Sequence, residues 1–209
     1  MKIHKIVNRV AGENTYILEN NQHCLVIDPG SDWNKIKNKL NEVNKPILAI
    51  LLTHTHYDHI MSLDKVRDTF AHPPVYVAES EASWLYTPEL SGFTRHPELE
   101  NFILQPAENF FHYNENYELA DFRFYVVPTP GHSIGGVSLI FPEDLVVFTG
   151  DALFFETIGR TDLYTGDLPQ LLNSIRQQLF TLSGDYEVFP GHGRNSTINH
   201  EKYFNPFFH

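Results

Sequence analysis

The sequence Pro-Ile-Leu-Ala-Ile-Leu-Leu-Thr at residues 46–53 is followed directly by His-Thr-His-Tyr-Asp-His at residues 54–59. The first part is short and almost wholly apolar, which is typical of a central β-strand buried on both faces. The second part holds three histidines and one aspartate in six residues, at the end of that strand and before a helical pattern. The stretch therefore predicts a sheet in which polar side chains lie at the carboxyl end of the central strand.

Four of these side chains are candidate metal ligands: His54, His56, Asp58 and His59. Residues two apart in an extended segment point to the same side, so His54 and His56 can face one ion together. Where the chain turns into the helix, Asp58 and His59 can face a neighbouring position. Nitrogen and oxygen ligands in this arrangement favour a binuclear site for zinc, iron or manganese.

Three later segments also place a polar residue just beyond an apolar strand. His132 and His192 each follow a Pro-Gly pair, and Asp151 follows a glycine. Each of these motifs alone is an ordinary turn. Ligands at the carboxyl ends of strands meet at one edge of a sheet, where α/β active sites form. Together the three residues are therefore candidates for the same centre.

Composition limits the classes of protein that fit. The 209 residues carry 15 Lys and Arg against 26 Asp and Glu, with 12 His and a formal charge of −11. This length predicts a single domain over residues 1–209, and the acidic balance argues against nucleic-acid binding. A single cysteine, Cys24, excludes an intramolecular disulfide and fits a reducing compartment. Without a visible signal segment or membrane-length apolar run, we expect a cytoplasmic protein with no membrane contact.

Strand and helix patterns alternate in both halves of the chain. They favour an α/β protein (α+β in some schemes) with two packed sheets and helices outside, a four-layer αββα arrangement. Periodicity alone leaves an ordinary three-layer α/β fold open. The stretch 87–108 is polar, contains prolines and reads as a long surface excursion, either a functional loop or simple packing by aromatics such as Phe93 and Phe102.

The order His-x-His-x-Asp-His at 54–59, then His132, Asp151 and His192, resembles the metallo-β-lactamase superfamily. Val-Ile-Asp-Pro-Gly at 26–30 and Thr-Pro-Gly-His-Ser at 129–133 extend the resemblance over nearly the whole chain. The resemblance implies an αββα sandwich. It also implies one metal at His54, His56 and His132, a second at Asp58, His59 and His192, and Asp151 as the bridging ligand.

Within that superfamily, Gly-Arg-Thr-Asp-Leu at 159–163 is similar to a short branch related to hydroxyacylglutathione hydrolase, the type II glyoxalase. Asp151, where the best-known antibiotic-hydrolysing class has a cysteine, argues against that class. His56, where the diiron flavoprotein members have a glutamate, argues against that branch. The chain departs from many members after His59, where Ile60-Met-Ser replaces smaller residues.

The resemblance implies a metal-dependent hydrolase, for example of a hydroxyacylglutathione thioester, that acts through a metal-bridging hydroxide. Two divalent ions are expected, zinc first, with iron or manganese as alternatives. Asp58 is the candidate catalytic carboxylate. Arg160 is a candidate for binding an anionic group of a small-molecule substrate, although an internal contact with Asp162 or Asp151 is equally open.

Two other functions compete with hydrolysis. One is a persulfide dioxygenase with a single iron held by His54, His132 and Asp151, a facial set that non-haem iron oxygenases use. The other is a metal-binding module without catalysis. The intact His192 favours two metals and therefore the hydrolase. The sequence leaves the oligomeric state open.

Overall fold

The computed structural model describes residues 1–96, 98–99 and 103–209. Phe102, one of the aromatics of the 87–108 excursion, lies outside the described residues. The chain divides into two compact units, Met1–Phe111 and His112–His209. The prediction of one domain over the full length stays a prediction.

The first unit is built on one mixed β-sheet. Its strands lie in the order in which they occur in the chain, β1 to β6. The first three pair antiparallel, and β3 to β6 pair parallel. The strands are β1 (Lys2–Val7), β2 (Asn14–Glu19), β3 (Cys24–Ile27), β4 (Ile47–Leu51), β5 (Val75–Val77) and β6 (Asn109–Phe110).

Helices of the first unit cover the apolar side chains of this sheet. Ile36 and Leu40 are the buried residues of α1, four positions apart on one helix face. They join Val26, Ile50 and other strand residues in one core cluster. The helices are α1 (Trp33–Val43), α2 (Tyr57–Ile60), α3 (Leu63–Thr69) and α4 (Pro88–Ser91), with 3₁₀ turns at Glu79–Tyr86 and Phe93–Arg95.

Much of the 87–108 excursion is held to the first unit by packing and by polar contacts. Phe93 and Leu104 are buried in the core.

Polar contacts hold the end of the excursion. The Arg67 guanidinium donates to the Gln105 carbonyl at 3.2 Å and forms an ion pair with the Glu108 carboxylate. The same carboxylate accepts from the Val75 amide. In its described part, the excursion therefore supports the packing interpretation.

The second unit contains another mixed sheet and a two-stranded ribbon. The sheet order is β14-β13-β10-β9-β8-β7, and β11 pairs with β12. Within the second unit, β10 and β13 are the only strands that pair parallel. The strands are β7 (Asn116–Leu119), β8 (Phe122–Pro128), β9 (Val137–Phe141), β10 (Val146–Gly150), β11 (Leu153–Phe154), β12 (Thr157–Ile158), β13 (Glu187–Pro190) and β14 (Ser196–Thr197).

Two helices complete the second unit: α5 (Leu168–Ser174), which continues as a π-helical turn to Leu179, and α6 (Ile198–Phe204). The Asp167 side chain caps α5 by accepting from the Gln170 amide at 2.9 Å, as is typical of helix starts. Leu171 on this helix packs with Val147 and Val188 of the sheet. The predicted α/β fold with two sheets and accompanying helices is confirmed.

Cys24 lies at the start of β3 and is fully buried. Burial raises the pKa of its thiol to about 11, with a smaller contribution from the negative charge of Glu19. The side chain behaves as a small apolar core residue.

Among the residues that the structure describes, no helix is both long enough and apolar enough to cross a bilayer.

Candidate metal centre

The four ligand candidates of the first unit lie together between β4 and α2. His54 and His56 follow the end of β4, while Asp58 and His59 lie in α2. All four side chains are buried. The His54 ring centroid is 4.2 Å from that of His59 and 4.8 Å from that of His56. The predicted clustering of these residues within the unit is therefore present.

Asp28, at the end of β3, holds this loop through its buried carboxylate. It accepts from the Thr53 amide at 2.8 Å and from the Thr53 hydroxyl at 2.5 Å. Its Oδ2 lies 3.0 Å from His59 Nδ1. Since an ionised carboxylate only accepts, Nδ1 of His59 carries the proton and Nε2 keeps its lone pair. A histidine oriented in this way by a carboxylate is a common arrangement in metal sites.

Glu81, in the 3₁₀ turn after β5, holds the same loop at Thr55. Its fully buried carboxylate accepts from the Thr55 amide at 2.7 Å and from the Thr55 hydroxyl at 3.0 Å. Thr55 separates His54 from His56, so Glu81 fixes the backbone that carries both histidines. Asp28 and Glu81 lie 25 or more residues from the groups they bind, and sequence reasoning missed both of them.

The second unit brings together its own three candidates. Asp151 Oδ2 lies 3.4 Å from Nε2 of His132 and 3.3 Å from Nε2 of His192. The Asp151 and His132 side chains are close to buried, and that of His192 is 22% exposed. The Oδ2 atom of Asp151 thus faces Nε2 of His132 and also Nε2 of His192.

Arg160 contributes through its backbone. Its carbonyl accepts from His132 Nδ1 at 2.8 Å, which leaves the lone pair of His132 on Nε2, the atom that faces Asp151. Its side chain forms two hydrogen bonds to Asp162, at 2.7 and 2.8 Å, and is 63% exposed. The internal contact that the sequence left open is therefore formed, and substrate binding by Arg160 stays a prediction.

Gly159 allows this close approach, and its replacement by alanine should damage the centre. A Cβ at this position would lie 1.8 Å from the Asp151 carbonyl oxygen and 3.1 Å from His132 Nδ1. The backbone around two ligands would have to move, so we expect Gly159→Ala to lower metal affinity about tenfold or more, as loss of ligand orientation does. Metal titration by calorimetry measures this.

The control is Gly184→Ala, whose Cβ would touch only the Asn199 side chain at 3.1 Å. Its metal affinity should equal that of the wild type. Equal affinities for Gly159→Ala and Gly184→Ala would contradict the role assigned to Gly159.

The donor atoms of the second unit fit a divalent ion. In the first unit, Asp28, His54 and His59 each offer an atom within 4.8 Å of the others, but Asp28 accepts from His59 and therefore orients this ligand candidate instead of joining it at an ion. In the second unit the Asp151–histidine spacings are 3.3 and 3.4 Å. Ligands at about 2.0–2.1 Å from one tetrahedral zinc ion are separated by about 3.3 Å, so these spacings suit shared coordination.

Comparison with known proteins identifies relatives along the whole chain. The family model described as the metallo-β-lactamase superfamily matches residues 8–192. A probable metallo-hydrolase of Streptococcus pyogenes serotype M6 is 59% identical, over 100% of this chain and 91% of the relative. Hydroxyacylglutathione hydrolase GloC of Haemophilus influenzae is 32% identical, over 91% of this chain and 90% of the relative.

Solved structures give the same assignment. The BLEG-1 B3 metallo-β-lactamase superposes with a TM-score of 0.94 at 38% identity, covering 99% of both chains. A protein solved in a di-iron-bound form, TTHA1623, reaches a TM-score of 0.87 at 29% identity, covering 98% of this chain and 99% of the other. ETHE1 from Myxococcus xanthus reaches 0.80 at 25% identity, covering 99% and 84%. The chain belongs to the metallo-β-lactamase superfamily, among its metallo-hydrolases.

Proposed function

We propose that this protein hydrolyses thioesters of an anionic thiol, such as a hydroxyacylglutathione, with two bound divalent ions. Zinc is the first candidate, and iron or manganese are the alternatives. The observation that carries the proposal is the fixed orientation of His59 and His132. Each donates Nδ1–H to a protein oxygen, which leaves Nε2 available as a ligand. The proposed ligands are His54, His56, Asp58, His59, His132, Asp151 and His192.

Two bound divalent ions would lower the pKa of a coordinated water from 15.7 to about 7 and polarise the substrate carbonyl. The residues of the chain supply the rest. The proposed ligands include two carboxylates, Asp58 and Asp151, whose two negative charges would offset only part of the four positive charges of two divalent ions, and the excess would attract an anionic substrate. Asp58, which is 6% exposed, is the carboxylate that we propose orients the attacking water.

A thioester suits this set of residues because its thiolate leaves without strong acid catalysis. A free thiol has a pKa of about 8.5, far below that of an alcohol, so no general acid is needed to protonate it. GloC supports this substrate class, since its name describes hydrolysis of a hydroxyacylglutathione and it is 32% identical to this chain. We therefore propose that the partner of this protein is a small-molecule substrate, the thioester of an anionic thiol.

A β-lactam is a second candidate substrate. BLEG-1 is a metallo-β-lactamase of comparable length, 38% identical to this chain. Opening a lactam breaks a carbon–nitrogen bond, and the departing amine needs a proton that a thiolate does not need. We therefore expect thioesters to be cleaved faster than β-lactams by the same protein.

Elemental analysis of protein purified without added metal, run beside assays on lactoylglutathione and a chromogenic cephalosporin, tests the proposal. Two metal equivalents per chain and preferential thioester turnover are expected. One iron per chain, with oxygen consumed on glutathione persulfide, would establish the dioxygenase alternative instead. Bound metal without turnover of either the thioester or the β-lactam would leave a metal-binding module.

A further inference from the structure

Arg194 follows the ligand candidate His192 by two residues and packs on an aromatic ring. Its guanidinium carbon lies 3.4 Å from the centroid of the Phe155 ring. At this distance the planar cation stacks on the ring face, an arrangement that arginine favours. The stacking limits the motion of an exposed side chain and so reduces the entropy lost when it binds a ligand.

The donor groups of Arg194 remain available. Over the described parts of the chain, its guanidinium forms no hydrogen bond or ion pair with another residue. This differs from Arg160, which is engaged by both carboxylate oxygens of Asp162.

The position of Arg194 relates it to the ligands of the second unit. Phe154 contacts the His192 ring edge-on, with centroids 5.8 Å apart, and the next residue, Phe155, contacts Arg194. Two residues of extended chain span about 7 Å at most. The guanidinium is therefore anchored on the short segment whose other phenylalanine, Phe154, contacts the ligand candidate His192.

We infer that Arg194 binds a carboxylate of the anionic thiol carrier and sets the preference for charged substrates. The planar fork of the guanidinium matches the two oxygens of a carboxylate. Arg160 would first have to give up its bidentate pair with Asp162, whereas Arg194 binds without breaking an ion pair. The inference rests on the proposed function for its choice of substrate class, although binding can be measured without turnover.

Calorimetric titration with S-hexylglutathione, a thioether with two carboxylates that is not hydrolysed, tests this in the metal-loaded protein. Arg194→Gln should weaken its binding about tenfold, the loss expected for one charge-assisted pair. Binding of the diethyl ester of the same probe should stay unchanged. Arg194→Lys should recover only part of the affinity, since lysine offers a point charge instead of a fork.

Arg176→Gln is the matched control. Its guanidinium carbon also lies over a phenylalanine ring, that of Phe208 at 5.1 Å, so the substitution makes the same chemical change elsewhere in the second unit. It should leave probe binding at the wild-type value. Arg160→Gln, measured in parallel, should weaken binding less than Arg194→Gln does.

Each result separates the inference from the proposed function. Equal losses for the acid and its diester, no loss in Arg194→Gln, or a loss found only in Arg160→Gln overturns the inference. The inference also fails if the wild type shows no binding up to about 10 mM probe, which corresponds to a binding free energy weaker than about 3 kcal/mol. If the wild type binds the probe through Arg194 but cleaves no thioester, the inference stands and the proposed function fails.

Discussion

Replacing Asp151 with alanine is expected to release bound metal and to lower thioester hydrolysis about a thousandfold, or about 4 kcal/mol in activation free energy. The carboxylate oxygen that faces both His132 and His192 is lost, at 3.4 and 3.3 Å. Without the negative charge of Asp151, Asp58 would be the one carboxylate left among the proposed ligands. The fold should survive, since Asp151 follows the end of β10 and none of its strand pairing depends on the side chain.

Elemental analysis, kinetics and thermal melting measured on one preparation check this result. Asp121→Ala is the matched control, because it removes the same charge from an exposed turn of the same unit. The control should keep wild-type metal content and activity. Asp151→Ala protein with full metal content and full activity would refute the assignment of Asp151 as a shared ligand.

Asp28→Asn is expected to lower metal affinity about 10- to 100-fold, the usual effect of losing a partner that orients a ligand. The amide nitrogen of asparagine would replace Asp28 Oδ2, the oxygen that accepts the hydrogen bond from His59 Nδ1–H. His59 would have to accept there, which moves its proton to Nε2 and blocks that atom as a ligand. Asparagine tolerates the left-handed backbone at this position, where φ is +48°, so most of the fold stability should remain.

Asp28→Ala separates the two contributions of the carboxylate. It leaves the buried Thr53 amide and hydroxyl without their acceptor, so unfolding should become easier by about 2–4 kcal/mol in addition to the loss of metal affinity. Asp121→Asn, in an exposed turn of the second unit, is the control and should change neither quantity. An Asp28→Asn protein with wild-type metal affinity would contradict the orienting role.

The sequence predicted the parts of the fold that depend on local pattern. The apolar run before His54 forms β4, as its pattern predicts. Short strands without an apolar pattern, such as β12 and β14, were not predicted. Each has two residues and depends on its partner strand, which the local sequence does not reveal.

The ligand candidates were also visible in the sequence, whereas the groups that orient them were not. His54 to His59 and the Pro-Gly-His motifs follow strand ends, and that position is a local signal. Asp28 and Glu81 reach the loop from other elements, across 25 or more residues, and their role exists only in the folded chain. Arg160 was singled out for its side chain, but the structure adds a role for its carbonyl, which no residue type reveals.

The burial of Cys24 bears on the chemistry of the released product. A thioester hydrolase liberates one thiol in each turnover, and an accessible cysteine thiolate nearby could take over the acyl group or form a mixed disulfide with that thiol. The one cysteine of this chain is enclosed in β3, with its thiol pKa raised to about 11. At neutral pH it presents almost no thiolate, so under the proposed function this cysteine would not compete for the acyl group or trap the released thiol.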